Sequence, residues 1–415
     1  MGGAVSGQRV RHPVRTRIRG ENHRGKASQR AVVNRVTSRS QPGLESNKKR
    51  ERDMIDYGMF LMPVHDPAKP PGQCYDEDME LLVRSEELGF SEFWIGEHHS
   101  SSYENIVMPE IFIGKALGLT SRMRLGAAPV CLPYHHPAHV AGRLAFLDHL
   151  SHGRLNICFG PGAIPTDLEM FGIRPEDSGA MVGEAIQMIM TLWTTDPPYD
   201  INGRFWQVHV GREVREDLGV GVYLKPLQKP HPPLSVPVIM RDSAGTRIAG
   251  QKGYSPFSHH MVAANVLANH WETYAGGAQS AGQEPDRRKW KISRNIFVAD
   301  TTKEAREMAR NNSLGKCLEY IMKLTDLGPG RAFWKRDLDM PDSECTLDYM
   351  MDEQVIAGDP DECVRQLHRM MEETGEFGTF IMTAHDWDDR EAWINSLELF
   401  AKEVMPRFNR SLGYA

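Results

Sequence analysis

From Met54 onward the chain repeats one pattern: a short apolar run, a polar turn, and then a stretch with apolar residues three or four positions apart. Short apolar runs bounded by turn residues predict buried strands, and the longer spacing predicts amphipathic helices. Their alternation is typical of βα units. The pattern predicts eight strands, at residues 55–61, 92–96, 124–130, 155–159, 236–240, 254–257, 292–299 and 378–382.

Two stretches interrupt this alternation, residues 196–234, which are rich in Pro and Gly, and residues 326–357. Structureless segments of this length are uncommon in compact domains unless they are functional. Both segments are therefore candidate lids over a site. The second, which contains Phe333 and Trp334, is the lid that we expect to exclude water.

Eight βα units are compatible with a closed barrel or with an open, doubly wound sheet. In the open dinucleotide-binding sheet a glycine-rich fingerprint follows the first strand, whereas residues 61–65 here read LMPVH. The pattern therefore favours an α/β domain over residues 54–415 that forms a (β/α)8 TIM barrel with insertions.

Charge divides the chain near Met54. Residues 1–53 contain 14 Lys and Arg against 4 Asp and Glu, and the remaining residues contain 35 against 51. The basic segment has few large apolar residues, so we expect a disordered N-terminal extension. A transit peptide, a nucleic-acid-binding arm and a true translation start at Met54 are alternative interpretations of it. The acidic body gives no electrostatic reason to bind nucleic acid or an anionic membrane.

The chain lacks the sequence features of a membrane protein or a secreted protein. It has no apolar run of 18 residues, and its first 30 residues lack the apolar stretch of a signal peptide. Its six cysteines are scattered without a CxxC pair, and no HExxH motif is present. We therefore expect a soluble, cytoplasmic protein with reduced thiols and no metal site.

Active-site residues of a barrel lie at the C-terminal ends of its strands, and the second predicted strand leads into His98 and His99. Neighbouring strand residues point to opposite faces, so the two imidazoles are not expected to bind one ion. From the residues alone, a polar rim is favoured over a catalytic pair. The pairs at 135–136 and 259–260 are interpreted as loop and helix-start residues.

The fourth and fifth strand exits hold candidate ligand-binding residues. Gly160 and Gly162 would let a planar ligand approach the backbone, although a tight turn explains them equally well. After Met240 come Arg241, Asp242, Ser243 and Thr246, at the predicted start of a helix. Free helix N–H groups, two hydroxyls and a guanidinium suit a phosphate, and the alternative is that Ser243 only caps the helix.

Taken together, these exits resemble the bacterial luciferase-like, flavin-dependent monooxygenases. The resemblance covers nearly all of residues 54–408. It rests on the stretches at residues 88–99, 132–137, 147–154, 358–363 and 400–406, and within the family residues 103–110 and 160–165 are most similar to the limonene and diketocamphane monooxygenase branch.

The resemblance implies reduced FMN at the barrel mouth, with its phosphate near Ser243 and Thr246, and O2 captured as a flavin C4a-hydroperoxide. It implies a catalytic site at His98 and His99, with His98 near the flavin, and a cis bond between Ala128 and Pro129 beneath the flavin. It further implies a small, apolar substrate, a separate NAD(P)H-dependent flavin reductase and a homodimer.

One position departs from the family pattern. Luciferases carry an arginine that helps to hold the flavin phosphate where this chain has Pro161, and Arg241 is the residue that could replace its charge. The departure keeps a deazaflavin-dependent oxidoreductase open as an alternative. A non-catalytic flavin-binding subunit is the other alternative, although such subunits tend to lose residues equivalent to His98, Ser243 and Thr246.

Overall fold

The computed structural model describes residues 54–62, 64–221, 223–327 and 330–414. The basic segment 1–53 lies outside the described residues, so its expected disorder stays a prediction. The helices of the described ranges include none with the length and apolar character to cross a lipid bilayer.

Eight parallel strands close into a barrel. Around it the order is β1, β2, β3, β4, β7, β8, β9 and β11, and β11 pairs again with β1. The strands of the chain are β1 Asp56–Leu61, β2 Glu92–Ile95, β3 Arg124–Cys131, β4 Leu155–Gly160, β5 Tyr199–Asn202, β6 Gln207–Val210, β7 Leu234–Val238, β8 Ser255–Ser258, β9 Lys291–Val298, β10 Val355–Gly358 and β11 Thr379–Ala384. The predicted TIM barrel is confirmed and the open sheet is wrong.

All eight predicted strands are present, and the fifth begins two residues earlier than expected. Three strands of the described residues were missed: β5, β6 and β10. β10 pairs with the second half of β9, from Val355 opposite Asn295 to Gly358 opposite Val298. β10 lies along the part of the β9 edge that β8 leaves unpaired, because β8 pairs only with Lys291 and Ile292 of β9.

The helices lie between the strands in chain order. They are α1 Pro71–Glu87, α2 Pro109–Ala116, α3 Pro137–Leu150, α4 Pro165–Met170, α5 Pro175–Thr194, α6 Ala244–Lys252, α7 Ala264–Ser280, α8 Thr302–Asn311, α9 Ser313–Thr325, α10 Leu347–Gln354, α11 Pro360–Thr374, α12 Arg390–Leu399 and α13 Met405–Ser411, with a π-helical turn at Phe400–Val404. Local signals set several of their ends. The Asp359 carboxylate, for example, accepts the N–H of Glu362 at the start of α11.

Side chains fill the lower half of the barrel interior. Near the N-terminal ends of the strands, Glu92 accepts hydrogen bonds from Lys291 and Asn156. Above them the Trp94 and Phe257 rings meet edge to face at 5.4 Å. The interior is therefore open to a ligand at the C-terminal end of the strands, as in other barrels of this type.

The two long segments differ in position. In the first, β5 and β6 form a hairpin whose turn is held on α5, because the Glu184 carboxylate accepts the N–H groups of Phe205 and Trp206. Residues 196–221 and 223–234 contribute nothing to the lining of the cavity described below. The expectation that this segment is a lid is therefore wrong, since it packs on the outer helices.

Candidate active site

A cavity of about 310 Å³ opens at the C-terminal mouth of the barrel, where the sequence predicts the active site. Its lining is mainly apolar and comes from most of the strand exits and from α9. The apolar side chains include Phe60, Met62, Ile164, Pro237, Ile239, Met240, Phe257, Met261, Ile321, Leu324 and Phe333, and the ionisable ones are Glu97, His98, Glu104, Cys131, Cys158 and His259. A few polar groups in an apolar cleft are typical of a site for a small organic molecule.

One wall of the cavity is backbone and proline ring. Ala128 and Pro129 line it, and the bond between them is cis, as expected. A Cβ atom on Gly160 would lie 2.7 Å from Pro129 Cβ, and one on Gly162 would collide with the Tyr134 hydroxyl. Gly162 also has a φ of 76°, which favours glycine. Larger residues do not fit at either glycine, and of the two only Gly162 lines the cavity.

At one side of the cavity the chain passes from Met240 into the N-terminus of α6. Ser243 precedes the helix and makes no side-chain cap hydrogen bond, and Thr246 in the first turn is 3% exposed. Asp242 has a φ of 52°, and its N–H donates to Asn269 Oδ1 at 3.0 Å. The first N–H groups of a helix lack intrahelical partners, so this turn presents free donors beside two hydroxyls.

Arg241 contacts the second long segment. Its guanidinium donates to the carbonyl oxygens of Lys335, at 3.0 Å, and of Arg336, at 3.2 Å. That segment contains α10 and β10 and is not structureless. Within it, Phe333 lines the cavity and Trp334 is fully buried. Together with α9, this segment covers the mouth, which supports its assignment as a lid.

His98 lies between two buried carboxylates. Its Nε2 is 2.8 Å from Glu104 Oε2, and its Nδ1 is 3.8 Å from Asp167 Oδ2. Burial alone would lower the pKa of His98, but the attraction of Glu104 and Asp167 raises it to about 10. The imidazole is therefore protonated at neutral pH and can donate a proton or a hydrogen bond.

His99 belongs to a second cluster. Glu97 Oε1 accepts hydrogen bonds from His135 Nε2, at 2.7 Å, and from His99 Nε2, at 2.9 Å, and Glu97 Oε2 accepts the Cys131 N–H. Burial would raise the pKa of Glu97, but these donors lower it to about 2. The expected opposite orientation of His98 and His99 rested on strand alternation, and it does not apply because β2 ends at Ile95.

Two of the other predicted roles also change. His136 caps α3, as expected, whereas His135 is part of the Glu97 cluster and not a simple loop residue. His259 follows β8 and lines the cavity. Burial lowers its pKa to about 4, so its ring is neutral at pH 7.

Two groups of three side chains could offer atoms to a metal ion within the described ranges. They are Glu97 with His99 and His135, and His65 with Cys74 and Asp386. In both groups the imidazoles already donate to carboxylates. Hydrogen bonding accounts for both arrangements, and the absence of a metal stays a prediction.

Sequence reasoning missed four residues of the site, Glu97, Glu104, Asp167 and Tyr320. Glu97 and Glu104 flank the His98 and His99 pair, so acidic residues on both sides of the pair were a usable signal. Asp167 lies in α4 and Tyr320 in α9, and nothing local connects either residue with His98. Only folding brings them together.

Comparison with known proteins gives one consistent result. The profile of the luciferase-like monooxygenase family matches residues 55–376. The chain is 34% identical over 366 residues to 4-hydroxyprotoasukamycin monooxygenase of Streptomyces nodosus subsp. asukaensis. This match covers 87% of this chain and 94% of that protein. It is 33% identical to limonene 1,2-monooxygenase of Rhodococcus erythropolis over 86% of this chain and 88% of that protein.

A solved structure agrees with these matches. The oxygenating constituent of 3,6-diketocamphane monooxygenase from Pseudomonas putida, a type II Baeyer–Villiger monooxygenase in complex with FMN, is 28% identical and has a TM-score of 0.76. The match covers 85% of this chain and 98% of that chain. The resemblance found in the sequence, including the branch, is thereby confirmed.

Proposed function

The chain belongs to the luciferase-like monooxygenase family, and on this premise we propose that it is a flavin-dependent monooxygenase that uses reduced FMN and O2 to oxygenate a small, mainly apolar organic substrate. The observation that carries the proposal is the apolar cavity at the barrel mouth, which has a helix N-terminus at one side and a half-buried, protonated histidine in its lining.

The residues of the cavity fit FMN. The wall of Ala128, Pro129 and Gly162 would support the planar ring system, and the first turn of α6, with Ser243 and Thr246, would bind the phosphate. When bound, reduced FMN supplies the two electrons for the reaction, so that one atom of O2 enters the substrate and the other leaves as water. The protein binds and orients FMN and the substrate, and it keeps water out of the site.

We assign the proton chemistry to His98. Its Nε2 is paired with Glu104, whereas its Nδ1 lies 3.8 Å from Asp167, beyond hydrogen-bond distance, so we assign the transferable proton to Nδ1. Because its pKa is raised to about 10, His98 acts as a donor at neutral pH and not as a base. Phe333 and the apolar residues of α9 would keep water away from this proton.

The test is rapid mixing of the protein, loaded with reduced FMN, with O2 and a panel of apolar ketones and alkenes. Mass spectrometry of the product and an assay of hydrogen peroxide give the fraction of flavin oxidation that is coupled to oxygenation. His98→Asn should bind FMN normally and release more hydrogen peroxide per FMN oxidised. His139→Asn is the control, because His139 is an exposed residue of α3 that does not line the cavity.

Two results would contradict the proposal. One is oxidation of FMN at the same rate as free FMN in solution, which would mean that the protein does not hold it. The other is normal coupling in His98→Asn, which would remove His98 from the mechanism. Titration with a deazaflavin beside FMN tests the alternative cofactor directly, since tighter binding of the deazaflavin would favour an oxidoreductase without O2 chemistry.

We also propose a separate flavin reductase and a homodimer. The structural relative is described as the oxygenating constituent of its monooxygenase, which supports a two-component system. Ile111 of α2 is 72% exposed and Phe146 of α3 is 57% exposed, and these two helices contact each other, so both side chains are candidates for one apolar interface. Light scattering should give a dimer, and Ile111→Asp with Phe146→Asp should give a monomer.

A cytoplasmic location is the last part of the proposal. All six cysteines are free and buried, which suits a reducing compartment. Fluorescent tagging at the C-terminus tests it, and a signal outside the cytoplasm would contradict it.

A further inference from the structure

Three separate elements converge on His98. Glu104 lies in the connection after β2, where it pairs with Val64 in an isolated antiparallel bridge. Asp167 lies in the first turn of α4, and Tyr320 lies in α9, which covers the cavity. The two oxygens of Glu104 take different partners: Oε2 is 2.8 Å from His98 Nε2, and Oε1 accepts the Tyr320 hydroxyl at 2.8 Å.

Burial makes each of these contacts costly to lose. Glu104 is 2% exposed and Asp167 is 1% exposed. A buried carboxylate without a cation or a full set of donors is strongly destabilised. Burial would raise the pKa of Glu104, but the imidazolium of His98 and the Tyr320 hydroxyl lower it, so that Glu104 stays charged. Glu104 therefore needs both partners.

The other ionisable groups around His98 do not replace Glu104. Asp167 accepts the His99 N–H and the Ser100 hydroxyl, and these donors share its charge. His259 also lines the cavity and is neutral, because burial lowers its pKa to about 4. Glu97 is already bound by His99 and His135. The direct contact at 2.8 Å makes Glu104 the main partner of His98.

We propose that Glu104 is a positioning residue that fixes the ring orientation and the charge of His98, and that Tyr320 couples this pair to the position of the roof helix α9. A role of this arrangement in oxygenation rests on the proposed function, whereas the positioning of His98 and the coupling to α9 do not. Tyr320 also stacks on Tyr103 at 4.4 Å and bonds to Ser101 Oγ at 3.0 Å. Displacement of α9 would break its bond to Glu104 and leave a buried carboxylate oxygen without that donor.

The charge of His98 is tested by titration of the flavin-free protein with ¹³Cε1-labelled histidine, in which the His98 signal is identified by its loss in His98→Gln. In wild type the signal should stay in the protonated position up to about pH 9. In Glu104→Gln the midpoint should fall by about 1–2 pH units, because one charge-assisted hydrogen bond is lost. Glu104→Asp keeps the charge and should recover part of the shift.

The coupling to α9 is tested by hydrogen exchange in Tyr320→Phe. This variant keeps the ring stacked on Tyr103 and removes only the hydroxyl, so amide exchange in residues 313–325 should accelerate at least several-fold. Tyr103→Phe is the matched control, because it changes the other ring of the stack and leaves the bond to Glu104 intact. In Tyr320→Phe, Glu104 loses a hydrogen-bond donor but keeps its charge, so the midpoint of the His98 titration should not fall.

These measurements separate the inference from the proposed function, because neither needs flavin or substrate. An unchanged His98 midpoint in a folded Glu104→Gln protein would overturn the positioning role, and a midpoint that Glu104→Asp does not recover would also overturn it. Equal exchange rates of α9 in Tyr320→Phe and wild type would overturn the coupling. If oxygenation fails while both shifts appear, the proposed function is wrong and the inference stands.

Discussion

Replacement of the two hydroxyls at the start of α6 gives a direct measure of where the FMN phosphate binds. Ser243→Ala and Thr246→Val remove one hydroxyl each and change little else. Ser243 makes no cap hydrogen bond in the structure, so its loss should hardly affect the helix itself. Thr246 is 3% exposed, and valine keeps its shape.

The expected effect follows from the charge of the phosphate. A hydrogen bond to a charged group contributes about 1.5–3 kcal/mol, which is about a 10- to 150-fold change in Kd per hydroxyl. Riboflavin has the same ring system and no phosphate, so its Kd should change less than about threefold. The measurement is flavin fluorescence quenching with both ligands.

Ser178→Ala is the matched control, because Ser178 lies in the first turn of α5 and does not line the cavity. It should leave both affinities unchanged. Equal losses for FMN and riboflavin in the α6 variants would mean that these residues shape the site without touching the phosphate. No loss for either ligand would place the phosphate at another helix or loop, and the assignment of α6 would then be wrong.

Two further predictions concern the cavity wall and the Glu97 cluster. Glu97→Gln should lower the free energy of unfolding at pH 7 by about 3 kcal/mol, because the pKa of Glu97 is lowered from 4.5 to about 2. A lowered pKa stabilises the fold above pH 4.5, and this stabilisation is lost as the pH falls from about 4.5 to 2. In urea unfolding, the difference in unfolding free energy between the variant and wild type should therefore shrink over this range. A difference that stays constant with pH would contradict an electrostatic origin. Gly162→Ala should weaken FMN binding, since its new Cβ would collide with Tyr134, whereas Gly172→Ala, with a φ of 66° and open space around it, should cost only about 1 kcal/mol of stability and leave FMN binding intact. Similar FMN affinities for the two glycine variants would show that the wall tolerates a side chain.

The alternation of strands and helices was readable because it is local. Most barrel strands are largely apolar and buried on both faces, and most helices repeat their apolar residues every three or four positions, so neighbours in sequence carry the signal. The glycines of the β4 exit and the hydroxyls at the start of α6 are also local features. The flavin cofactor was predicted from the family resemblance, because the spacing of apolar residues carries no information about a cofactor.

Other features were decided by the tertiary structure. The strand β10 forms because the second half of β9 offers an unpaired edge, and its four residues, Val355–Gly358, have too little pattern to predict a strand. The hairpin after α5 likewise packs on outer helices, although its length and composition resembled those of a lid.

The charge state of the site is the clearest case. From its sequence neighbours, His98 is an ordinary imidazole at a strand end. Its pKa rises to about 10 because Glu104 and Asp167 together outweigh the effect of burial, and they come from different βα units. A pKa depends on distances and on exclusion of water, which exist only once the chain is folded. The sequence by itself therefore determined which residues reach the barrel mouth, and the tertiary structure decided which of them are paired, charged and covered by α9.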